Sequence, residues 1–454
     1  MGSSARGSLR ASLIKSQALA PLLLLAGASL FIPFWAAVRF GAAAARISAA
    51  LWPAINLGAL LLFDFSSMVL STAVGETAAA VVATVAYALM LVHLAALVVP
   101  KMRGNIFAAA VLVPGTLLAA ACLLGLPLSA TAWIAWRASD GGGSEVRAAS
   151  VALGLAPWLL AASGLISSAW PRRETVRIRA GCERPLRPKR VACERSRALA
   201  STREPNILRV AQVADPHLGG LWSVARLRAM LHRLIAREPD LVLLTGDLLA
   251  LEGMFTPGAL AQALSPLRER QGTCLAALGN HDLDALDEVR SALALNGIQL
   301  LVDQTARVDT HIGPVEVIGI AQLRSRSSVV RRDHLRKVLS RTATSEGPIA
   351  YRICLLHDPS RFQDIEPTAP GAPDLVLAGH VHGGQLGLVS LGIPWTILSG
   401  SRWPDHGLWG LGRCRLYAHR GTGTFGFPLR IGVPGEESVL EIEIGPAADK
   451  SPTR

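Results

Sequence analysis

Charge is scarce in this chain and unevenly spread. Only 17% of its 454 residues are Asp, Glu, Lys or Arg, and mean hydropathy is +0.38. Residues 1–170 hold nine Lys/Arg and four Asp/Glu, whereas 171–454 hold 36 and 29. So little charge excludes an ordinary soluble N-terminal domain and points to a membrane region followed by a water-soluble one. The six cysteines (122, 182, 193, 274, 354 and 414) include no Cys-x-x-Cys, which argues against a zinc ribbon or a disulfide framework. They read as small buried hydrophobes, although Cys182 and Cys193 could pair in an oxidising compartment. Gly2 is present, but Arg6 stands where a myristoylation signal needs Ser or Thr. The net charge of +12 comes without interleaved aromatics to stack bases, so no specific nucleic-acid partner is expected.

Five apolar runs occupy about 17–38, 48–74, 77–100, 106–135 and 149–170, each near the roughly 20 residues that cross a bilayer core. The first is too long for a signal peptide and is followed by more spans. Trp35, Trp52, Trp133, Trp136 and Trp170 lie near span ends, as interfacial aromatics do. Asp64 and His93 interrupt the second and third runs. An intramembrane carboxylate marks either a transport path or a polar contact holding helices together, here through His93. Five spans put Arg6, Arg10, Lys15, Arg137 and Arg147 on one side. Arg39, Arg46, Lys101, Arg103, Arg172, Arg173, Arg177 and Arg179 fall on the other, which leans the C-terminal domain toward the cytoplasm. Residues 171–205 read as a basic linker, solvated or in contact with anionic headgroups.

From Asn206 onward short apolar runs end in polar, glycine-containing turns and alternate with helical stretches, an α/β pattern. Strands are expected at 207–215, 240–247, 272–280, 299–302, 315–320, 350–356, 374–378 and 438–444. Helices are expected at 222–237, near 257–269 and near 284–296. The strand ends carry Asp215 and His217, Asp247, Asn280 to Asp282, His357 and Asp358, then His380 and His382. None carries Ser or Cys in a nucleophile setting. Ligands bind outside the carboxyl ends of strands in open α/β sheets. Asp, Asn and His without thiolate suit Mn, Fe or Zn. On extended chain, Asp215 with His217 and His380 with His382 would each face one side. Glycines beside them would let backbone and substrate approach closely. His232, His311, His334, His406 and His419 fit no strand-end block and read as structural, with a substrate role open for the last two.

The ordered blocks D-x-H, GD, GNHD, H and GHVH resemble the calcineurin-like metallophosphoesterases over about 206–445. GHVHGGQ and RGTGTFGFPLRIGVPGEESVLEI resemble that family's membrane-associated branch. The resemblance implies a four-layer α/β/β/α sandwich, placed at 206–446; the apolar runs make 1–170 a transmembrane region, and 447–454 is expected to be a disordered tail. It also implies two metal ions: Asp215, His217 and His382 would hold one, Asn280, His357 and His380 the other, and Asp247 would bridge them. A metal-bridging hydroxide would attack a phosphate mono- or diester. His281 would serve the leaving group, with Asp282 orienting its ring. Arg420 is a candidate phosphate contact. Membrane spans beside such a domain point to a lipid or cell-envelope phosphate. The competing readings are a non-catalytic metal-binding scaffold and a nuclease.

Overall fold

A computed structural model describes residues 19–138, 144–179, 185–196, 204–325, 327–342, 347–401 and 403–444. Gly2, Arg6, Arg10, Lys15, Cys182 and the tail 447–454 lie outside the described residues. The chain divides into two compact units, 1–166 and 167–454.

The first unit is helical: α1 (Leu19–Ala28), α2 (Phe31–Val74), α3 (Glu76–Val98), α4 (Val113–Ala138, entered through a π turn, Ala108–Leu112) and α5 (Ser144–Ala169). Five segments are long and apolar enough to cross a membrane: Leu19–Ala36, Leu51–Val74, Glu76–Val98, Asn105–Ala138 and Ser144–Ala169. The first two are not joined by a loop, because α2 runs unbroken through 39–47. That stretch is alanine-rich, the best helix former, and holds no proline; its one glycine, Gly41, does not break the helix. The polar contact is also not the expected one. Asp64 accepts from Trp133 Nε1 (2.8 Å) and Arg137 Nη2 (3.2 Å), joining α2 to α4. His93 instead faces Thr116 Oγ1 at 3.3 Å. Arg137 is therefore neutralised inside a helix rather than free in a loop.

The second unit holds two seven-stranded sheets. The first has the order β3-β1-β14-β4-β5-β6-β7, and the second β2-β12-β13-β11-β10-β9-β8. In the first sheet lie β1 (Arg172–Arg179), β3 (Glu194–Ser196), β4 (Ile207–Val213), β5 (Leu241–Leu244), β6 (Cys274–Ala276), β7 (Gln299–Leu300) and β14 (Glu436–Glu443). In the second lie β2 (Lys189–Arg190), β8 (Gln304–Thr310), β9 (Gly313–Gly319), β10 (Tyr351–Leu355), β11 (Leu375–Ala378), β12 (Gly407–Leu411) and β13 (Cys414–Ala418). One apolar core fills the space between the sheets, including Leu208, Val210, Leu243, Leu275, Val317, Ile353, Leu377, Tyr417 and Leu440. A second core, with Cys354, Val376 and Leu416, is capped by Leu335, Val338 and Leu339 of α9 (Ser328–Thr342). The amphipathic α6 (Val224–Ile235) packs on β14 and against α7 (Ala259–Leu264), which meets α8 (Leu286–Leu295). These layers are the expected four-layer sandwich. Four of the five described cysteines, all but Cys193, are buried.

The basic linker read at 171–205 is corrected. Residues 172–179 form β1, parallel to β14 in the register Arg172↔Glu436 to Arg179↔Glu443. Val176 and Ile178 turn into the core, while Arg177 and Arg179 reach Glu443 at 3.6 Å. The sandwich thus begins some 30 residues before Asn206. The structure also adds β8, β12, β13 and α9 to the expected elements.

Candidate metal centre

β4, β5 and β6 run parallel, as do β9, β10, β11 and β13, so their carboxyl ends gather at one edge. Gln212 ties the two sheets there by donating to the Ala378 carbonyl (3.0 Å). Just past these ends stand Asp215, Asp247, Asn280, His357, His380 and His382. The geometry is not the extended one expected. Asp215, His217, Asp247, His380 and His382 all have φ between 43° and 71°. Such left-handed backbone is uncommon for residues with a Cβ and marks a site where surroundings over-determine the conformation.

Two groups result. Asp215, His217 and His382 offer ligand atoms within 4.8 Å of one another, and so do Asp247, His357 and His380. In the first group His217 Nε2 and His382 Nε2 are 3.1 Å apart, and His382 Nε2 is 3.8 Å from Asp215 Oδ1. In the second, His357 Nε2 lies 3.3 Å from Asp247 Oδ2 and 3.2 Å from Asn280 Oδ1. Asp247 Oδ2 is also 3.9 Å from His217 Nε2, so this carboxylate borders both groups. His380 and His382, two residues apart, belong to different groups.

The glycines have a more local reason than substrate access. A Cβ on Gly379 would stand 2.1 Å from Asp215 Oδ2, and one on Gly279 2.1 Å from Asp247 Oδ1. Each glycine is the floor on which an acidic ligand candidate lies. The backbone completes the arrangement: His380 N donates to Asp215 Oδ1 and His281 N to Asp247 Oδ1, both at 2.8 Å.

Electrostatics fit cations at this place. Asp215 is fully buried and its Oδ2 has no hydrogen-bond partner, a costly condition for a carboxylate. Burial pushes its carboxyl up to about 7, against the opposing pull of His357. Burial likewise resists a charge on His357, but Asp247 prevails and raises it to about 10. Surroundings that retain a proton on His357 Nε2 attract a metal cation in its stead. His357 Nδ1 donates to the Thr245 carbonyl at 2.7 Å, which fixes the ring and turns Nε2 toward Asp247. Burial holds His217 down at about 4 and His382 well below the ordinary histidine range.

Three expectations are corrected. Asp282 does not orient the His281 ring. Its carboxylate accepts from the N–H groups of Asp247, Leu248 and Gly279, each at 2.8 Å, and so pins two ligand-bearing turns together. Arg420 is not open to phosphate. It is 1% exposed and bound to Glu174 (2.7 Å), Glu436 (3.4 Å) and the Pro434 carbonyl (3.1 Å). Extended-chain spacing does not bring Asp215 to His217, since both are left-handed. Asp358 caps a 3-10 turn through Ser360 N (2.9 Å), as a cap residue should. His406 pairs with Asp405, His334 with Asp303 and His311 with Asp240.

Two site residues escaped the sequence reading. Arg430 is fully buried, with Nη2 3.0 Å from His382 Nδ1 and Nη1 bound to the His382 carbonyl (3.1 Å). It thereby turns His382 Nε2 into the site. Phe425, half exposed, sets its ring 5.0 Å from that of His281 and 5.9 Å from that of His217. The only signal for either was its place in the quoted late stretch RGTGTFGFPLRIG.

Residues 208–384 match the family model for the calcineurin-like phosphoesterase. An uncharacterized metallophosphoesterase of Campylobacter jejuni is 27% identical over 252 residues, 53% of this chain and 61% of that protein. A phosphodiesterase of Escherichia coli is 28% identical over 234 residues, 51% of this chain and 80% of that protein. A transmembrane protein with a metallophosphoesterase domain from Danio rerio is 30% identical over 235 residues, 50% of this chain and 51% of that protein. The chain thus spans less than two thirds of the length of the first and third of these relatives.

Proposed function

We propose that this chain, whose residues 208–384 carry a calcineurin-like phosphoesterase domain, is a membrane-anchored, metal-dependent hydrolase of a phosphate mono- or diester. The observation that carries the reading is the convergence of two three-residue ligand groups on one sheet edge, with a buried Asp215 oxygen lacking any partner. Asp215, His217 and His382 would hold one cation, Asn280, His357 and His380 a second, and Asp247 would touch both. A donor set of imidazole, carboxylate and amide oxygen suits Mn, Fe or Zn. When bound, such a pair supplies an activated water and neutralises phosphoryl charge.

The chain's own residues do the rest. His281 sits half-buried at the rim, its backbone fixed to Asp247 and its ring held between His217 and Phe425. From there it can give a proton to a departing ester oxygen. Asp282 and Arg430 hold the turns and the His382 ring in place. The five apolar segments would anchor the domain at a bilayer, which favours a lipid-linked or cell-envelope phosphate. A test is hydrolysis of p-nitrophenyl phosphate and bis(p-nitrophenyl) phosphate by the full chain in detergent, stripped of metal and then titrated with Mn, Fe or Zn. Metal-dependent turnover abolished by Asp247→Asn supports the reading; no turnover with any metal on either ester rejects it.

A further inference from the structure

The chain leaves the ligand edge through a small hairpin, 386–397, that begins four residues after His382. Its backbone is ordered: Leu388 N donates to the Trp395 carbonyl (2.8 Å), Ile397 N to the Leu386 carbonyl (2.9 Å) and Gly387 N to the Ile431 carbonyl (2.9 Å). Yet five of its apolar side chains are exposed, while Thr396 is buried. Leu391, Ile393, Trp395 and Ile397 are 72, 49, 51 and 58% exposed, and Leu388 is exposed as well. Among the described residues of the sandwich, other exposed large apolar side chains occur singly or in pairs. Five on one hairpin form a patch of the kind that marks an interaction site. Gln385 joins this patch to the ligand edge, donating to the Phe425 carbonyl (3.0 Å) and accepting from Phe425 N (2.9 Å).

Topology says what covers it. β4 ends at the ligand edge, β14 is antiparallel to β4, and β1 is parallel to β14. The first residue of β1, Arg172, therefore lies on the ligand edge, beside Glu436. Its guanidinium is 3.5 Å from the Ser390 carbonyl at the hairpin tip. Only Trp170 and Pro171 separate Arg172 from Ala169, the last residue of the apolar helix α5. Three peptide steps reach at most about 11 Å. The edge that carries the ligand groups is thus the edge at which the chain arrives from a membrane-crossing segment. Trp170 is 68% exposed and the exposed Arg173 follows it, an aromatic and a base where headgroups would lie.

We propose that hairpin 386–397 is a bilayer contact. Leu391, Ile393, Trp395 and Ile397 enter the boundary between headgroups and acyl chains, and the ligand edge faces the headgroup layer. The assignment rests on the reading that the apolar segments span a membrane. Amphipathic surfaces bind this boundary through apolar burial beside basic residues. Arg172 and Arg173 supply the basic part.

The test places a genetically encoded fluorescent amino acid at Ile393, at Leu159 or at Arg290. The full chain is reconstituted in nanodiscs of phosphatidylethanolamine and phosphatidylglycerol. Fluorescence is quenched by doxyl-labelled lipid from the bilayer or by iodide from water. Leu159, 70% exposed on α5, reports the spanning segment, and Arg290, exposed on α8, reports water. The expected result is that position 393 follows 159, with strong lipid quenching and at least a several-fold lower iodide constant than 290. Iodide quenching at 393 with lipid quenching at 159 overturns the hairpin assignment alone. Protection of 393 from both quenchers means protein covers it, which also overturns it. Iodide quenching at 159 removes the spanning reading, and the hairpin assignment with it.

Discussion

Asp64 in the apolar helices and Asp215 in the sandwich are equally withdrawn from water, at 1% and 0% exposure, yet their surroundings differ in kind. Asp64 receives a guanidinium and an indole N–H, and both come from α4. Asp215 receives one backbone N–H on Oδ1 and nothing on Oδ2, and its nearest ionisable neighbours are the imidazoles of a ligand group. A buried charge must be paired, coordinated or neutralised. Asp64 is paired and reads as a structural link between helices. Asp215 is left for coordination. Burial therefore does not separate these two carboxylates; the donors around them do.

The comparison can be broken in order of expected effect. Replacing the shared carboxylate, Asp247→Asn, should lower metal-dependent ester hydrolysis by more than about 100-fold, the upper end for groups that merely orient ligands. The measurement is turnover at saturating metal. His281→Ala should cost about 10²–10⁴-fold in kcat while metal content stays constant, as loss of a general acid does. Equal loss of bound metal would place His281 among the ligands instead. Arg430→Lys keeps the charge but not the fork that holds His382, and should weaken metal affinity by about 10–100-fold, read by titration against a competing chelator. The smallest effect is on stability. Asp64→Asn should lower the unfolding midpoint in detergent by an amount worth about 1 kcal/mol, the scale of interhelical polar contacts. With a chelator present, Asp215→Asn should leave the midpoint unchanged or raise it, since it removes a buried charge with no partner on Oδ2.

The ligand edge was legible because each candidate follows directly on a short apolar run, and strand ends of parallel sheets share an edge. The α/β order followed from the same alternation, and the four-layer sandwich from the resemblance. What could not be read depended on distant partners. RRETVRIR looks like a solvated linker until EESVLEIE, some 260 residues later, lies beside it and supplies acids for Arg173 and Arg177. Arg420 read as a phosphate contact for the same reason, since Glu174 on that strand buries it. The resemblance implied that Asp282 orients the His281 ring, but three backbone N–H groups on neighbouring turns claim its oxygens. The left-handed conformations at Asp215, His217, His380 and His382 carry no sequence signal, because glycine, the usual marker, is absent from those positions.

The most direct test of the account is the number of metal ions bound per chain. The full protein would be loaded with Mn or Zn, freed of excess metal and analysed by inductively coupled plasma mass spectrometry. The account predicts two per chain in the wild type, a loss of at least one in Asp215→Asn, and no change in Asp64→Asn. An unchanged count in Asp215→Asn, or no bound metal in the wild type, would contradict it.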